Sequence, residues 1–369
     1  MIALRLVADD LTGALDTAAE FVGLARPILT YWAGAIPSDL PATVALDSGT
    51  RELSEGDALA VIGRLVPALA CSQLAYKKLD SLLRGNTLAE IAACLRLGAW
   101  PYCVVAPAFP YQGRITRGGR QFAKGPDGWS AVSNDLIAAL AEHGLPVQQG
   151  LPDAELGAGV GVFDAETESD LDRIVAIARS ARGPVLWCGS GGLARALARG
   201  TDPNVSPALR PPVLGLFGSD RAVTARQLAA CHEHWLRLPN GGARSAAPVR
   251  ERLAGMGVAF VSFDLPLGLR RGEAAQSIAG AIRDLTYQIP SPCTLIVAGG
   301  ETLRATCLAL SAEALEVWGQ VAPGLPRSVL RGGRWDGVEV ISKSGAFGDD
   351  ALLRDLLERN GLAEQAVDR

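Results

Sequence analysis

A chain of 369 residues with 20% charged side chains and a formal net charge of −4 is long enough for two separate hydrophobic cores and carries no basic block. That balance argues against nucleic acid and anionic membranes as main partners. No apolar run approaches the roughly 20 residues of a membrane span, and Asp9 falls too early for a secretory leader. Seven cysteines without a Cys-x-x-Cys pair read as reduced core residues of a cytoplasmic protein.

The chain opens with an apolar strand over 2–7 that runs into Ala8-Asp9-Asp10-Leu11-Thr12-Gly13-Ala14. Leu11, Leu15, Ala18 and Val22 then recur at helical spacing. A helix is therefore expected from Thr12 or Gly13, with Thr12 as its cap and Gly13 leaving the backbone open to close approach by another molecule. Strands over 27–32 and 43–46 follow, the second ending in Asp47-Ser48-Gly49-Thr50-Arg51. A helix over 55–69 leads to a strand over 73–79 and the run Tyr76-Lys77-Lys78-Leu79-Asp80-Ser81. After Arg84-Gly85-Asn86, Leu88, Ile91, Ala92 and Leu95 mark one face of a helix, and a strand over 102–106 empties into a turn-rich loop, 107–114. Between 116 and 153 the pattern weakens; a hairpin over 118–123 and a helix over 131–143 are expected. Regularity returns with strands over 161–164 and 184–188 around a helix over 171–178, and 200–212 reads as a linker. The second half repeats the grammar, with strands over 213–217, 258–263, 294–298 and 338–341. This alternation predicts an α/β protein of two three-layer domains with mainly parallel sheets, divided as 1–205 and 206–369.

In a parallel sheet the carboxyl ends of the strands share one edge, where ligands bind. Four polar strand ends in the first half converge there: Asp9/Asp10, 47–51, 77–84, and Gly113-Arg114. Carboxylates beside Arg51, Lys77, Lys78, Arg84 and Arg114 suit a small anionic, hydroxylated substrate, with cations on its carboxylate and one Asp accepting a hydroxyl proton. Only Lys77, Lys78, Lys124 and Lys343 are lysines among 35 basic residues, which marks them as places for a compact point charge. The second half offers bare turns instead: Gly218-Ser219, Gly299-Gly300-Glu301-Thr302 and 342–348. Backbone N–H groups at such strand-to-helix junctions hold phosphate, although no Walker A loop is present. A competing pattern, Gly189-x-Gly191-x-x-Ala194, fits the dinucleotide fingerprint and would make the protein a nicotinamide-dependent dehydrogenase. Against it, the chain enters the linker where an acid-terminated strand is needed. His232-x-His234 lacks a third ligand, so no metal site is expected.

Val7–Ala14, Lys77–Asn86, Ala106-Pro-Ala-Phe-Pro110 and Gly113-Arg-x-Thr116 resemble the substrate domain of the four-carbon acid sugar kinases. Gly299–Thr302 and Lys343–Gly348 resemble that family's nucleotide-binding domain. The resemblance implies a sugar-acid domain at 1–205, a nucleotide domain at 206–369 and an active site in the cleft between them. It implies transfer of phosphate from ATP, with Mg²⁺, to the terminal hydroxyl of an erythronate, threonate or 3-oxo-tetronate, and leaves open a homodimer. Carried over, Ser219, Gly299, Gly300, Glu301, Thr302 and Gly345, with Lys343 beside them, fall on the ATP side. Arg51, Lys77, Lys78, Asp80, Ser81, Arg84, Gly113 and Arg114 fall on the substrate side. Asp10 or Asp9 would position the hydroxyl as base or Mg²⁺ partner, and Arg51, Lys78 and Arg84 would hold the carboxylate and the developing charge; successive strand residues point to opposite sides, so one of the two acids is expected to face the substrate, Asp10 by preference. Two departures, an abbreviated segment at Lys124–Trp129 and a short stretch after Asn240, keep open a catalytically silent sugar-acid binding protein.

Overall fold

The computed structural model describes residues 2–151, 154–201, 205–218, 221–239, 246–266 and 268–363. Ser219, residues 202–204 of the expected linker and the start of the stretch after Asn240 lie outside them. The chain divides into two compact units, Met1–Pro203 and Asn204–Arg369. No helix among the described residues is long and apolar enough to cross a membrane.

Unit 1 runs β1 (Leu4–Ala8), α1 (Leu11–Phe21), β2 (Ile28–Trp32), β3 (Val44–Asp47), α2 (Glu55–Ala70), β4 (Leu74–Lys78), α3 (Thr87–Leu97), β5 (Tyr102–Ala106), β6 (Arg114–Arg117), β7 (Arg120–Gly125), β8 (Gly128–Ala131), α4 (Leu136–Ala141), β9 (Val147–Gly150), β10 (Gly159–Phe163), α5 (Glu168–Arg179), β11 (Val185–Gly189) and α6 (Gly191–Leu197). Its sheet has the order β2-β3-β1-β4-β11-β5-β10-β9, parallel throughout. Period-2 alternation divides its side chains between two helical layers. Val7, Leu46, Ala75 and Val105 share a core with α2, α3 and α4. On the opposite face Tyr76 meets Phe21 of α1 edge-on, 5.3 Å between ring centroids. β1 lies between β3 and β4, so the chain leaves it first to one side and later to the other, and the crevice falls at that reversal.

The weakly patterned stretch forms an antiparallel arm, β6-β7-β8. The expected helix over 131–143 shortens to α4 because Asp135 caps it, accepting from the Ile137 and Ala138 amides at 2.9 and 3.2 Å. Residues before that cap belong to β8 and its exit.

Unit 2 runs β12 (Val213–Phe217), α7 (Ala222–Ala229), β13 (Trp235–Pro239), α8 (Ala246–Met256), β14 (Val258–Asp264), α9 (Arg271–Gln288), β15 (Thr294–Ala298), α10 (Gly300–Ala309), β16 (Ala314–Ala322), β17 (Leu325–Arg331), β18 (Glu339–Lys343) and α11 (Leu352–Glu358). β13-β14-β12-β15-β18 are parallel; β17 and β16 extend the sheet antiparallel. Leu228 of α7 and Leu353, Leu356 and Leu357 of α11 close a core over Phe217, Phe260, Ile296 and Ile341.

Candidate active site

At the carboxyl edge of unit 1, Ala8 pairs with Asp47 and Val7 with Lys77, which sets the ends of β3, β1 and β4 side by side. The segment after β3 is hooked onto β1, with the Ser48 and Arg51 amides donating to the Ala8 and Asp9 carbonyls at 2.8 and 3.3 Å. Gly85 admits the Arg51 backbone: it sits at φ +77°, and a Cβ there would come within 3.0 Å of the Arg51 carbonyl oxygen. Arg51 is thereby aimed at both acids. Its Nε and Nη2 donate to the Asp9 oxygens at 2.7 Å each, and its Nη1 and Nη2 to Asp10 at 2.5 and 2.9 Å. One guanidinium gathers the two carboxylates on one side. The pleat rule expected them to diverge, but β1 ends at Ala8, so neither Asp obeys its alternation.

Asp10, and not Thr12, caps α1: its Oδ1 accepts from the Gly13 amide at 2.9 Å, and Thr12 donates its hydroxyl to Oδ2 at 2.9 Å. Helix capping and the acidic cluster are therefore one feature. Gly13 is bare for the chain's own sake, since a Cβ would lie 2.5 Å from Asp10 Oδ1 and 3.0 Å from Lys78 Nζ.

The two lysines of β4 separate by strand alternation. Lys77 turns to the α3 layer and pairs with Glu90 at 2.7 Å, each side chain 1% exposed. Burial lowers its pKa, but the Glu90 carboxylate overrides that and raises it. Lys77 is expected on the substrate side; in the structure its ammonium goes to Glu90, a contact that ties β4 to α3. Lys78 turns to α1, is buried, and makes no hydrogen bond or ion pair among the described residues. Beyond it, Asp80 takes a two-pronged bond from Arg84, both at 2.7 Å, and lies 3.6 Å from Arg51. Burial raises the Asp9 and Asp80 pKa values, yet the guanidinium groups outweigh it and hold both carboxyls below their ordinary range. Ser81 contributes its carbonyl, which accepts from Gln121. Gly113, at φ +66°, makes the turn into Arg114. Among the described residues the Arg114 guanidinium bonds only the Gln112 and Gly113 carbonyls, both at 2.9 Å, and its Nε is sealed without a partner. Arg51 and Arg84 are thus committed to carboxylates; Lys78 and Arg114 are not.

Three polar residues carry no role in the sequence reading, Asp16 and Gln121 in unit 1 and Gln227 in unit 2. Asp16 in α1 has an Oδ1 sealed without a partner, and burial pushes its carboxyl up to about 8 against the pull of Lys78, so it is mostly protonated at neutral pH. Gln121 and Gln227 are fully buried amides that hold loops; only a lone polar residue inside an apolar stretch could have marked them.

At the carboxyl edge of unit 2, Phe217, Ala298 and Lys343 end adjacent parallel strands in register. Gly299, at φ +97°, donates its amide to the Lys343 carbonyl at 2.9 Å and opens α10, with Gly300, Glu301 and Thr302 in the first turn. Gly218 clears space for Thr302, whose hydroxyl would lie 2.6 Å from a Cβ there. Lys343 is fully buried, and its ammonium donates to the Ser344 carbonyl at 2.9 Å. Burial draws its pKa down to about 8. The Gly345 carbonyl accepts from Thr224 at 2.7 Å, and Gln227 donates to the Phe347 and Asp349 carbonyls at 3.0 and 2.7 Å.

The Gly189–Ala194 fingerprint is filled by the chain itself. A Cβ on Gly191 would meet the Phe109 ring at 2.9 Å, and one on Gly192 the Ala108 carbonyl at 2.6 Å. α6 is only 7 residues long. These glycines serve packing and leave no berth for a pyrophosphate.

Residues 4–147 and 148–197 match a sugar-binding N-terminal domain, and residues 259–353 a nucleotide-binding C-terminal domain. The chain is 34% identical to a D-threonate kinase of Cupriavidus necator, over 94% of this chain and 95% of that one. It is 31% identical to a D-threonate kinase of Bordetella bronchiseptica over 95% of each, and 29% identical to a 3-oxo-tetronate kinase of Pseudomonas fluorescens over 94% of each. A crystal structure from Salmonella typhimurium LT2 shares the fold, with a TM-score of 0.74 at 21% identity over 95% of this chain and 97% of that one. The chain belongs to the four-carbon acid sugar kinase family. It is a phosphotransferase, and the dehydrogenase alternative is set aside.

Proposed function

We propose that this kinase phosphorylates the terminal hydroxyl of a four-carbon acid of the threonate type, with unit 1 holding the acid and unit 2 the ATP. The observation that carries the reading is the pair of uncommitted cations, Lys78 and Arg114, beside the Asp9–Asp10–Arg51 cluster. The Arg114 fork takes the substrate carboxylate, and the Lys78 point charge meets the charge that develops during transfer. Asp10 accepts the hydroxyl hydrogen bond. It is the more open acid, its side chain 23% exposed against 7% for Asp9. Asp9 holds Arg51 in place. Phosphoryl transfer through a loose transition state asks mainly for position and charge neutralisation, which this arrangement supplies.

In unit 2 the α10 N-terminus offers the N–H groups of Gly300, Glu301 and Thr302 to the phosphates, and Lys343 joins them across Gly299. A bound phosphate would hold in place the proton that burial loosens on Lys343. Mg²⁺ fits as a companion of the nucleotide and not as a resident ion. No group of three or more His, Cys, Asp or Glu residues gathers among the described residues. Bound there, Mg²⁺ would neutralise phosphate charge; the chain's own residues supply the rest.

A coupled ADP-release assay across threonate, erythronate and their 3-oxo forms tests the reading. ADP release is expected with threonate, and Asp10→Ala should lower turnover by about 10²–10⁴-fold with the fold intact by circular dichroism. Thermal stabilisation by the acids without ADP release would make the protein a silent binder. Full turnover in the variant would remove Asp10 from the mechanism.

A further inference from the structure

We infer that Gln121 is a positioning residue for the sugar acid: its amide locks the β6–β7 arm to the turn after β4 and so fixes where Arg114 presents its guanidinium. This rests on the assignment of Arg114 to the substrate carboxylate. Gln121 is fully buried on a strand whose neighbours are partly exposed. Its Oε1 accepts the Thr116 hydroxyl at 2.7 Å, and its Nε2 donates to the Ser81 carbonyl at 2.9 Å and the Pro107 carbonyl at 3.2 Å. Thr116 is its register partner on β6, two residues beyond Arg114. Ser81 follows Asp80, which holds Arg84. A single carboxamide therefore joins the element that carries Arg114 to two of the loops that frame the site.

The tip of the arm is held separately. Asp164 accepts from the Gly118 and Gly119 amides at 2.7 and 3.0 Å, and Thr116 and Ala165 exchange backbone bonds at 2.9 and 3.0 Å. Arg114 exchanges backbone bonds with Phe109 at 2.9 and 3.0 Å, and among the described residues Gln121 is the side chain that bonds the arm to the turn holding Asp80 and Arg84. An apolar residue of equal volume would be easier to bury. Two donors matched to two loop carbonyls provide position.

Gln121→Met keeps the volume and removes the three bonds. We expect KM for the sugar acid to rise about tenfold, while kcat and KM for ATP stay within about twofold. Thr116→Val, which removes only the bond that orients the carboxamide, should move the same KM in the same direction by less, and it serves if the first variant fails to fold. Arg114→Ala should raise the acid KM by itself, and Gln121→Met should add nothing to it in the double variant. An unchanged acid KM in both arm variants, an equal rise in both KM values, or additivity with Arg114→Ala overturns the inference alone. An unchanged acid KM in Arg114→Ala overturns the carboxylate assignment and the inference with it.

Discussion

The carboxyl edges of the two units solve the same problem in opposite ways. Unit 1 fills its edge with committed charge: Arg51 alone makes four hydrogen bonds to Asp9 and Asp10, and Asp80 is forked by Arg84. Unit 2 leaves its edge to bare backbone at Gly299 and Gly300 and to one buried lysine whose ammonium meets a carbonyl. A small sugar acid offers several similar hydroxyls, so its site needs side chains fixed in advance, and mutual ion pairs fix them. A triphosphate brings its own charge. Its site needs donors that the protein has not already neutralised.

The contrast is broken most severely by removing the hub of unit 1. Arg51→Met leaves the buried Asp9 carboxylate without its partner, and we expect a loss of about 3–5 kcal/mol in urea denaturation together with loss of turnover. Asp9 and Asp80 both titrate below their ordinary 3.8, so the cluster's stabilisation is complete at neutral pH and is lost as pH falls below about 4. Lys343→Met should behave in reverse. It removes a buried cation that the fold tolerates poorly, so stability should hold or rise, while KM for ATP rises by about tenfold or more. The sign of its pH dependence is also opposite. With a pKa near 8 in the fold and 10.5 ordinarily, Lys343 disfavours folding while protonated, so stability rises with pH through that window as ATP affinity falls. The variant should flatten both trends. Equal destabilisation by Arg51→Met and Lys343→Met would erase the distinction between the two edges.

Much of this architecture was legible because parallel strands are short apolar runs closed by polar turns: β5, β12 and β15 begin and end at the residues expected. What was missed has local causes. β16 and β17 alternate Leu315 and Val317 with Glu316 and Trp318 around a Pro323-Gly324 turn, a hairpin signal masked by the dominant βα rhythm. Strand alternation separates one adjacent pair of charged residues and not the other. It fails at Asp9 and Asp10, which lie beyond the strand, and it holds at Lys77 and Lys78, which lie within β4 and part to opposite layers. No spacing in the sequence announces that Arg51 would reach both acids. That depends on Gly85 letting its backbone pass, a contact 34 residues away in the chain.

The smallest expected effect comes from deleting the Lys77–Glu90 pair altogether. A buried ion pair gives back little net stability after desolvation, whereas a lone buried partner is expensive. Lys77→Met and Glu90→Leu should each cost about 3–5 kcal/mol, and the double variant should lie near wild type, leaving a large coupling energy in the cycle. Turnover and both KM values should be unchanged in the double variant, because Lys77 faces α3 and Lys78 alone faces α1. A stable double variant whose acid KM rises tenfold would return Lys77 to the substrate side, where its place beside Lys78 in the motif first put it.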